Sequence, residues 1–422
     1  MRDLKLSVAF FLEGGNFLIG RPWTNGKCVR NMMKRFAFLA VAVASLAIIF
    51  SAVARADAPP LRIGFVGTFS GAYTASGKRS DAAIAAFFKE HGDSVAGRKV
   101  EIIKRDDGGN APDTAKRLAQ ELIISDHVDF LMGLMFSPNA KAVGDVSTSA
   151  HKPTFITNAG GYGILDANPY MARFSSTEGQ MTSVLARWAL KNKIKNAFTI
   201  VLDYGPGIDA ANGFASVFTA GGGKIVGEAR VPQTEQDYSA YVRRIKDAHP
   251  EAIFAFLTTS AESFFKAWSA AGGPATGAKI LGTSDITNEG VLQGFGDEAV
   301  GVLTAGNFAA THDSPLNKQL TRDMLAADPT IDGPEFTSVA VYDALQAIYK
   351  VVAAQRGSLD PDKTMQLVRG LKIESPRGPI EIDPQTREII QNIYIRRVDK
   401  VNGRLQNTEI AVFPQVRDPI EK

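Results

Sequence analysis

Three loops between residues 61 and 161 carry hydroxyls and backbone amides in a pattern suited to holding a small anion. Ser70 and Gly71 follow the apolar run LRIGFVG, and Ser137 follows VDFLMGLMF. Asn158, Ala159, Gly160 and Gly161 follow PTFIT. A serine hydroxyl and the exposed N–H groups of a helix N-terminus bind a carboxylate without help from a basic residue. Ser137 stands just before a helix-like stretch, so it could equally serve only as a cap. Spacing alone leaves the two open. Three such loops at successive strand ends make the binding reading stronger than any one of them does.

Aromatic and apolar residues crowd the same loops: Phe69, Tyr73, Met135, Phe136, Tyr162 and, further on, Tyr204. An apolar pocket with a few convergent polar groups is the usual small-molecule site. Tyr73, Tyr162 and Tyr204 sit beside Gly, Ala or Asp and are expected to face a crevice, whereas Met135 and Phe136 are expected to pack in a core. Enzyme motifs are missing: there is no G-x-G-x-x-G after the first strand, no P-loop, no G-x-S-x-G and no H-E-x-x-H. The histidines His91, His127, His151, His249 and His312 are scattered, so neither a metal cluster nor a catalytic residue is expected, and no cofactor. Asp106-Asp107 ends a strand in a loop, where turn chemistry and surface charge account for it.

Strands and helices must alternate to hold such loops side by side. Strand-like runs occupy 61–67, 99–105, 128–134 and 153–157, and helix-like stretches 75–91, 113–124 and 139–150 fall between them. Ala82, Ala83, Ala86, Phe87 and Glu90 keep the helical rhythm. The pattern restarts at NAFTIVLDYGPG (196–207), a strand and its loop. A helix at 210–220 is stopped by three glycines, and strands at 224–231, 252–258, 279–283 and 301–308 alternate with helices at 238–248 and 260–271. Two helices at 316–327 and 335–356 follow, and from Gly378 the chain alternates like a hairpin. The expected class is α/β: βαβ units in two similar halves, with a ligand crevice at the strand ends.

From Met33 the chain reads MKRFAFLAVAVASLAIIFSAVARADAPP. A basic pair, an apolar run and the small-residue sites Ala54-Arg55-Ala56 or Ala56-Asp57-Ala58 predict a cleaved signal peptide over 33–56. Residues 1–32 read as an over-called start. The formal charge of +3 misleads, because residues 1–56 hold 8 Lys and Arg against 2 Asp and Glu. The remainder has 39 basic and 42 acidic residues, net −3, which gives no reason to expect nucleic-acid binding. The one cysteine, Cys28, precedes the leader, so the exported part can form neither an internal disulfide nor a thiolate zinc site.

Several runs together resemble the leucine/isoleucine/valine-binding proteins, the periplasmic binding components of ABC importers. They are IGFVGTFSG with Gly77, VEIIKRDDGGN (100–110), VDFLMGLMFS (128–137), VLDYGPG (201–207), DYSAYVRRIK (237–246), GDEAVGVLTAG (296–306) and SPRGPIEID (375–383). The resemblance covers residues 60–415 and implies a type I periplasmic-binding fold: two doubly wound parallel-sheet lobes joined by a three-strand hinge. It puts one lobe at 59–178 plus 307–376, the other at 179–306 plus 377–415, and a tail at 416–422. It implies a carboxylate grip at Ser137, Ala159 and Gly161 and a second-lobe tyrosine at Tyr204; with the loop residues Ser70, Tyr73 and Tyr162, and Thr258 at the end of its strand, these make up the expected ligand site.

Two positions depart from that family. Its ammonium-binding glutamate falls where this chain has GTSD, with the shorter Asp285 the nearest carboxylate. An aromatic position at the end of the 255–258 strand is taken by small or aliphatic residues. A buried ammonium with no partner is strongly disfavoured. An aromatic acid needs only donors and an apolar slot, and family members sharing SPRGPIEIDPQTR take up hydroxybenzoates and phenylpropanoids. The resemblance thus implies a monomeric periplasmic solute-binding protein that passes a small organic carboxylate, aromatic in preference to an amino acid, to an ABC permease and its ATPase at the inner membrane. The alternatives are a ligand-sensing subunit of a membrane signalling system and an enzyme on a doubly wound fold.

Overall fold

Strand β1 (Leu61–Gly67) is buried along almost its whole length, as a strand covered on both faces must be. The computed structural model to which it belongs describes residues 58–419. The leader and start expected over 1–56 lie outside the described residues, as does the last part of the tail. With β2 (Ser94–Val95), β3 (Arg98–Asp106), β4 (Phe130–Gly133), β5 (Thr154–Ile156) and β6 (Met171–Arg173), it forms a sheet of order β2-β3-β1-β4-β5-β6. The pairs β1–β3, β1–β4, β4–β5 and β5–β6 are parallel, and β2 is an antiparallel edge. Helices α1 (Thr74–His91), α2 (Pro112–Ile124) and α3 (Ser137–Ser149) make the crossovers.

The second half repeats the winding. After α4 (Glu178–Lys191), the strands β7 (Asn196–Leu202), β8 (Lys224–Val231), β9 (Ala252–Phe256), β10 (Lys279–Thr283) and β11 (Leu303–Gly306) lie in the order β8-β7-β9-β10-β11, all parallel. Helices α5 (Gly205–Ala220), α6 (Ser239–Asp247), α7 (Ala261–Ala270) and the short α8 (Glu289–Leu292) connect them. In both sheets the first strand lies inside the order, β1 between β3 and β4 and β7 between β8 and β9. The order therefore reverses between β1 and β4 and between β7 and β9, and a crevice opens at such a switch point.

The chain then returns to the first sheet. Helices α9 (Pro315–Ala327), α10 (Phe336–Ala354) and α11 (Pro361–Val368) bring Leu320, Met324, Leu345 and Val368 into one core with Leu61, Phe65, Phe87 and Phe130. Strands β12 (Lys372–Ser375) and β13 (Gly378–Ile382) add Ile373, Ile380 and Ile382 to that same core. The long antiparallel pair β14 (Ile389–Val401) and β15 (Arg404–Val416) closes the second sheet beside β11. Among the described residues no helix is long and apolar enough to cross a membrane.

Helix α4 was not expected from the sequence, and its burial explains why. Nine of its first ten residues carry no exposed stripe against a polar face, because Glu178 to Ala186 are buried throughout. The residual signal is its capping box: Thr177 Oγ1 accepts from Gln180 N–H at 3.0 Å, and Gln180 Oε1 accepts from Thr177 N–H at 3.2 Å. Gln180 also reaches out of the helix. Its Nε2 donates to the carbonyls of Ile389 and Val416, both at 2.7 Å, and Gln391 Nε2 donates to its Oε1 at 3.0 Å.

Candidate functional site

The ends of β1, β4, β7 and β9 converge on one cavity of about 490 Å³. Tyr73, Phe136 and Ser137 line it from the first sheet, and Tyr204, Phe256, Thr258 and Asp285 from the second. Two helix N-termini open into it: α3 begins at Ser137 and α5 at Gly205. The N–H groups of a first turn have no partner inside the helix, so both ends present donors to the cavity. No Lys, Arg or His is among the residues that line it.

Ser137 is almost buried, and its Oγ accepts the Gly161 N–H at 3.0 Å. The helix that carries it is anchored from behind by Asp107, which sequence reasoning placed on the surface. Asp107 is buried; its Oδ1 accepts from Thr68 Oγ1 at 2.6 Å and its Oδ2 from Asn139 Nδ2 at 2.9 Å. The carboxylate thus ties the ends of β1 and β3 to the first turn of α3. Its neighbour Asp106 keeps the expected turn role, accepting the N–H groups of Phe69 and Gly108.

The two cavity tyrosines are hydroxyl donors. Tyr73 stands edge-on to Phe136 with ring centroids 5.3 Å apart, and burial, helped by Asp285, pushes its hydroxyl up to about 12. Burial, then Asp285, Glu178 and Tyr73, raise Tyr204 further. Neither ring can ionise near neutral pH.

Asp285 follows β10 in a 3-10 turn, Ser284–Thr287. Its Oδ2 accepts from Thr283 Oγ1 at 3.0 Å, and desolvation lifts its pKa above the ordinary carboxylate value despite the opposing pull of Arg396. Arg396 is a fully buried brace for that turn. Its Nη2 donates to Ser284 O and Thr287 Oγ1, both at 3.2 Å, and its Nη1 to Phe308 O at 2.7 Å and Glu289 Oε1 at 3.2 Å.

Of the nine residues singled out in the sequence, the structure brings Tyr73, Ser137, Tyr204, Thr258 and Asp285 into this cavity. Four lie behind or beside it. Ser70 is exposed next to Asp106. The Ala159 N–H is taken by Leu134 O at 3.0 Å, and the Gly161 N–H by Ser137. Tyr162 points away toward α5, where its hydroxyl lies 3.4 Å from the Asp209 carbonyl. Gly160, between Ala159 and Gly161, is the loop residue that reaches the cavity wall.

Other residues line the site against expectation or without a sequence signal. Met135 and Phe136 line the cavity rather than the core alone. Phe256 supplies an aromatic ring at the end of β9, which corrects the expectation of only small or aliphatic residues there. Phe295 and Phe336 add two more rings. Glu178, the first residue of α4, places a nearly buried carboxyl in the wall, and its Oε2 has no hydrogen-bond partner among the described residues. Burial and the nearby Asp285 raise its pKa well above the ordinary value, against the pull of Arg173.

Comparison with known proteins agrees with this geometry. Residues 60–404 match the family described as Periplasmic binding protein. The Leu/Ile/Val-binding protein homolog 6 of Brucella abortus (strain 2308) is 38% identical over 390 residues, 92% of this chain and 99% of that protein. A solute-binding protein of an ABC transporter from Rhodopseudomonas palustris BisB5, solved in complex with 3,4-dihydroxy benzoic acid, is 39% identical with a TM-score of 0.81, covering 86% of this chain and 99% of that one. Another from Rhodopseudomonas palustris, solved in complex with 4-hydroxybenzoate, is 38% identical with a TM-score of 0.83 over the same shares.

Proposed function

This chain belongs to the periplasmic binding protein family, as a substrate-binding protein of the ABC-importer kind and not an enzyme, and we propose that its ligand is a small aromatic carboxylate such as a hydroxybenzoate or a phenylpropanoid acid. One observation carries the choice of ligand. The cavity is ringed by Phe136, Phe256, Phe295 and Phe336, and its donors are hydroxyls and helix N-termini rather than cations. The rings suit a flat apolar body, and the Ser137 end suits its carboxylate. The two relatives solved with hydroxybenzoates support the same reading.

The ligand would touch Tyr73 and Ser137 from one sheet and Tyr204, Thr258 and Asp285 from the other. Contacts to both halves exist only when the two are drawn together, so ligand favours the closed form. That form is what an inner-membrane permease and its ATPase would receive, after export by a signal peptide cleaved near residues 56–58.

A branched-chain amino acid is the second reading, favoured by the carboxyls of Glu178 and Asp285, which could balance an ammonium group. A thermal-shift screen separates the two, because a ligand that binds only the native state raises its melting temperature. Hydroxybenzoates, phenylpropanoid acids and branched-chain amino acids would be compared at equal concentration. Stabilisation by leucine and not by any benzoate would overturn the aromatic reading.

A further inference from the structure

Three acidic side chains line the cavity proposed to hold an anion, and one of them, Glu262, is paired with Lys266 at 2.5 Å. Glu178 enters from the N-terminus of α4 and Asp285 from the turn after β10. Asp285 acts on Glu178, Tyr73 and Tyr204, and Glu178 acts on Tyr204. The cations in reach are committed elsewhere. Arg173 is paired with Glu388 at 2.5 Å, and Arg396 with Glu289 at 3.2 Å. Asp209 and Asp418 add further negative charge around Glu178. A ligand carboxylate entering this cavity would add a further anion beside Glu178 and Asp285, with no cation among the lining residues. Buried unpaired charge is so unfavourable that such groups take up a proton instead.

Resting on the aromatic-carboxylate reading above, we propose that the ligand is bound together with one proton, held by the Glu178–Asp285 pair. The unpartnered Oε2 of Glu178 is one place for it. Protonated there, the group loses the charge that repels a carboxylate. The ionised ligand is the co-reactant, solvent supplies the proton, and no covalent bond changes. Tyr73 and Tyr204 line the same cavity and keep their protons, so they add donors and no charge.

The test is isothermal titration with 4-hydroxybenzoate in two buffers of different ionisation enthalpy between pH 6 and 8. The wild type should take up close to one proton per ligand at the upper end of that range. Its affinity should fall by up to roughly tenfold per pH unit there, the slope for one coupled proton. Glu178→Gln or Asp285→Asn should lower the uptake and flatten the profile, with circular dichroism confirming the fold, and either folded variant suffices. Tight binding with buffer-independent enthalpy overturns the proton inference and leaves the ligand class standing. Uptake unchanged in both variants overturns its assignment to this pair. Absence of binding by any benzoate overturns the ligand reading, and this inference with it.

Discussion

The Gly161 N–H donates to Ser137 Oγ at 3.0 Å across the mouths of two loops that follow neighbouring parallel strands. An oxygen that accepts on one side has its own proton left to direct elsewhere, and for Ser137 the open direction is the cavity. The same bond spaces the β4 and β5 loops; the capping position of the helix is Phe136, and Ser137 is its first residue.

Ser137→Ala should therefore weaken ligand binding by roughly 1.5–3 kcal/mol, the loss of a hydrogen bond to a charged group. Its effect on stability should be smaller, about 1 kcal/mol, from the Gly161 N–H left without that acceptor. Titration calorimetry and thermal unfolding of the same preparation decide it. Unchanged affinity with lowered stability would mean that the serine only supports the loop.

Asp285→Asn separates the two ligand classes. With an aromatic acid, the variant should bind as well as wild type or somewhat more tightly, because an anion near the ligand carboxylate is gone. With an amino acid, losing the partner of a buried ammonium costs about 2–5 kcal/mol. Calorimetry with 4-hydroxybenzoate and with leucine compares them directly; a loss confined to leucine would defeat the aromatic reading.

Replacing Arg396 should unfold more than the site. Arg396→Met strands Glu289 without its cation and removes the donors that hold the Ser284–Thr287 turn. Breaking one half of a buried pair costs about 3–5 kcal/mol. Adding Glu289→Gln should restore a good part of it. Denaturant midpoints of the single and double variants report this, and a double variant no better than the single one would exclude the charge explanation.

The ligand-free protein should also show the mark of Glu178 in its pH dependence. Its folded pKa is raised, chiefly by burial, so the folded state holds the proton more tightly than the unfolded chain. Stability from this group is fully present below the unfolded value of about 4.3 and is lost as pH climbs toward and through the folded value. Glu178→Gln, which cannot ionise, should gain stability relative to wild type from pH 4 to pH 8. A melting-temperature difference that stays constant over that range would contradict it.

Much of the architecture was legible because parallel strands buried on both faces read as continuous apolar runs. The 61–67 and 279–283 strands fall where the buried β1 and β10 lie. The loops after β1, β4, β7, β9 and β10 carry Tyr73, Ser137, Tyr204, Thr258 and Asp285, and the winding brings those five together from across more than two hundred residues. What stayed hidden has physical causes. A helix buried on every side, such as α4, has no amphipathic stripe, so Glu178 lay in a segment with no assigned structure. Phe256 ends a strand whose residues are all buried, and alternation cannot tell which of them looks out of the strand end. Asp107 differs from Asp106 only by facing inward toward Thr68 and Asn139, a fact that belongs to tertiary packing.

The absence of any cation from the cavity wall has a consequence for delivery. A lysine or arginine would still attract a departing carboxylate several ångströms away, because Coulomb attraction falls only inversely with distance. Hydroxyls and helix N–H groups act at contact and weaken steeply once their geometry is lost. A cleft built from them behaves as a latch rather than a magnet: firm when shut, with almost no grip after parting by the width of a water molecule. A permease that prises the halves apart would meet a cargo that lets go at once, with no trailing charge to draw it back.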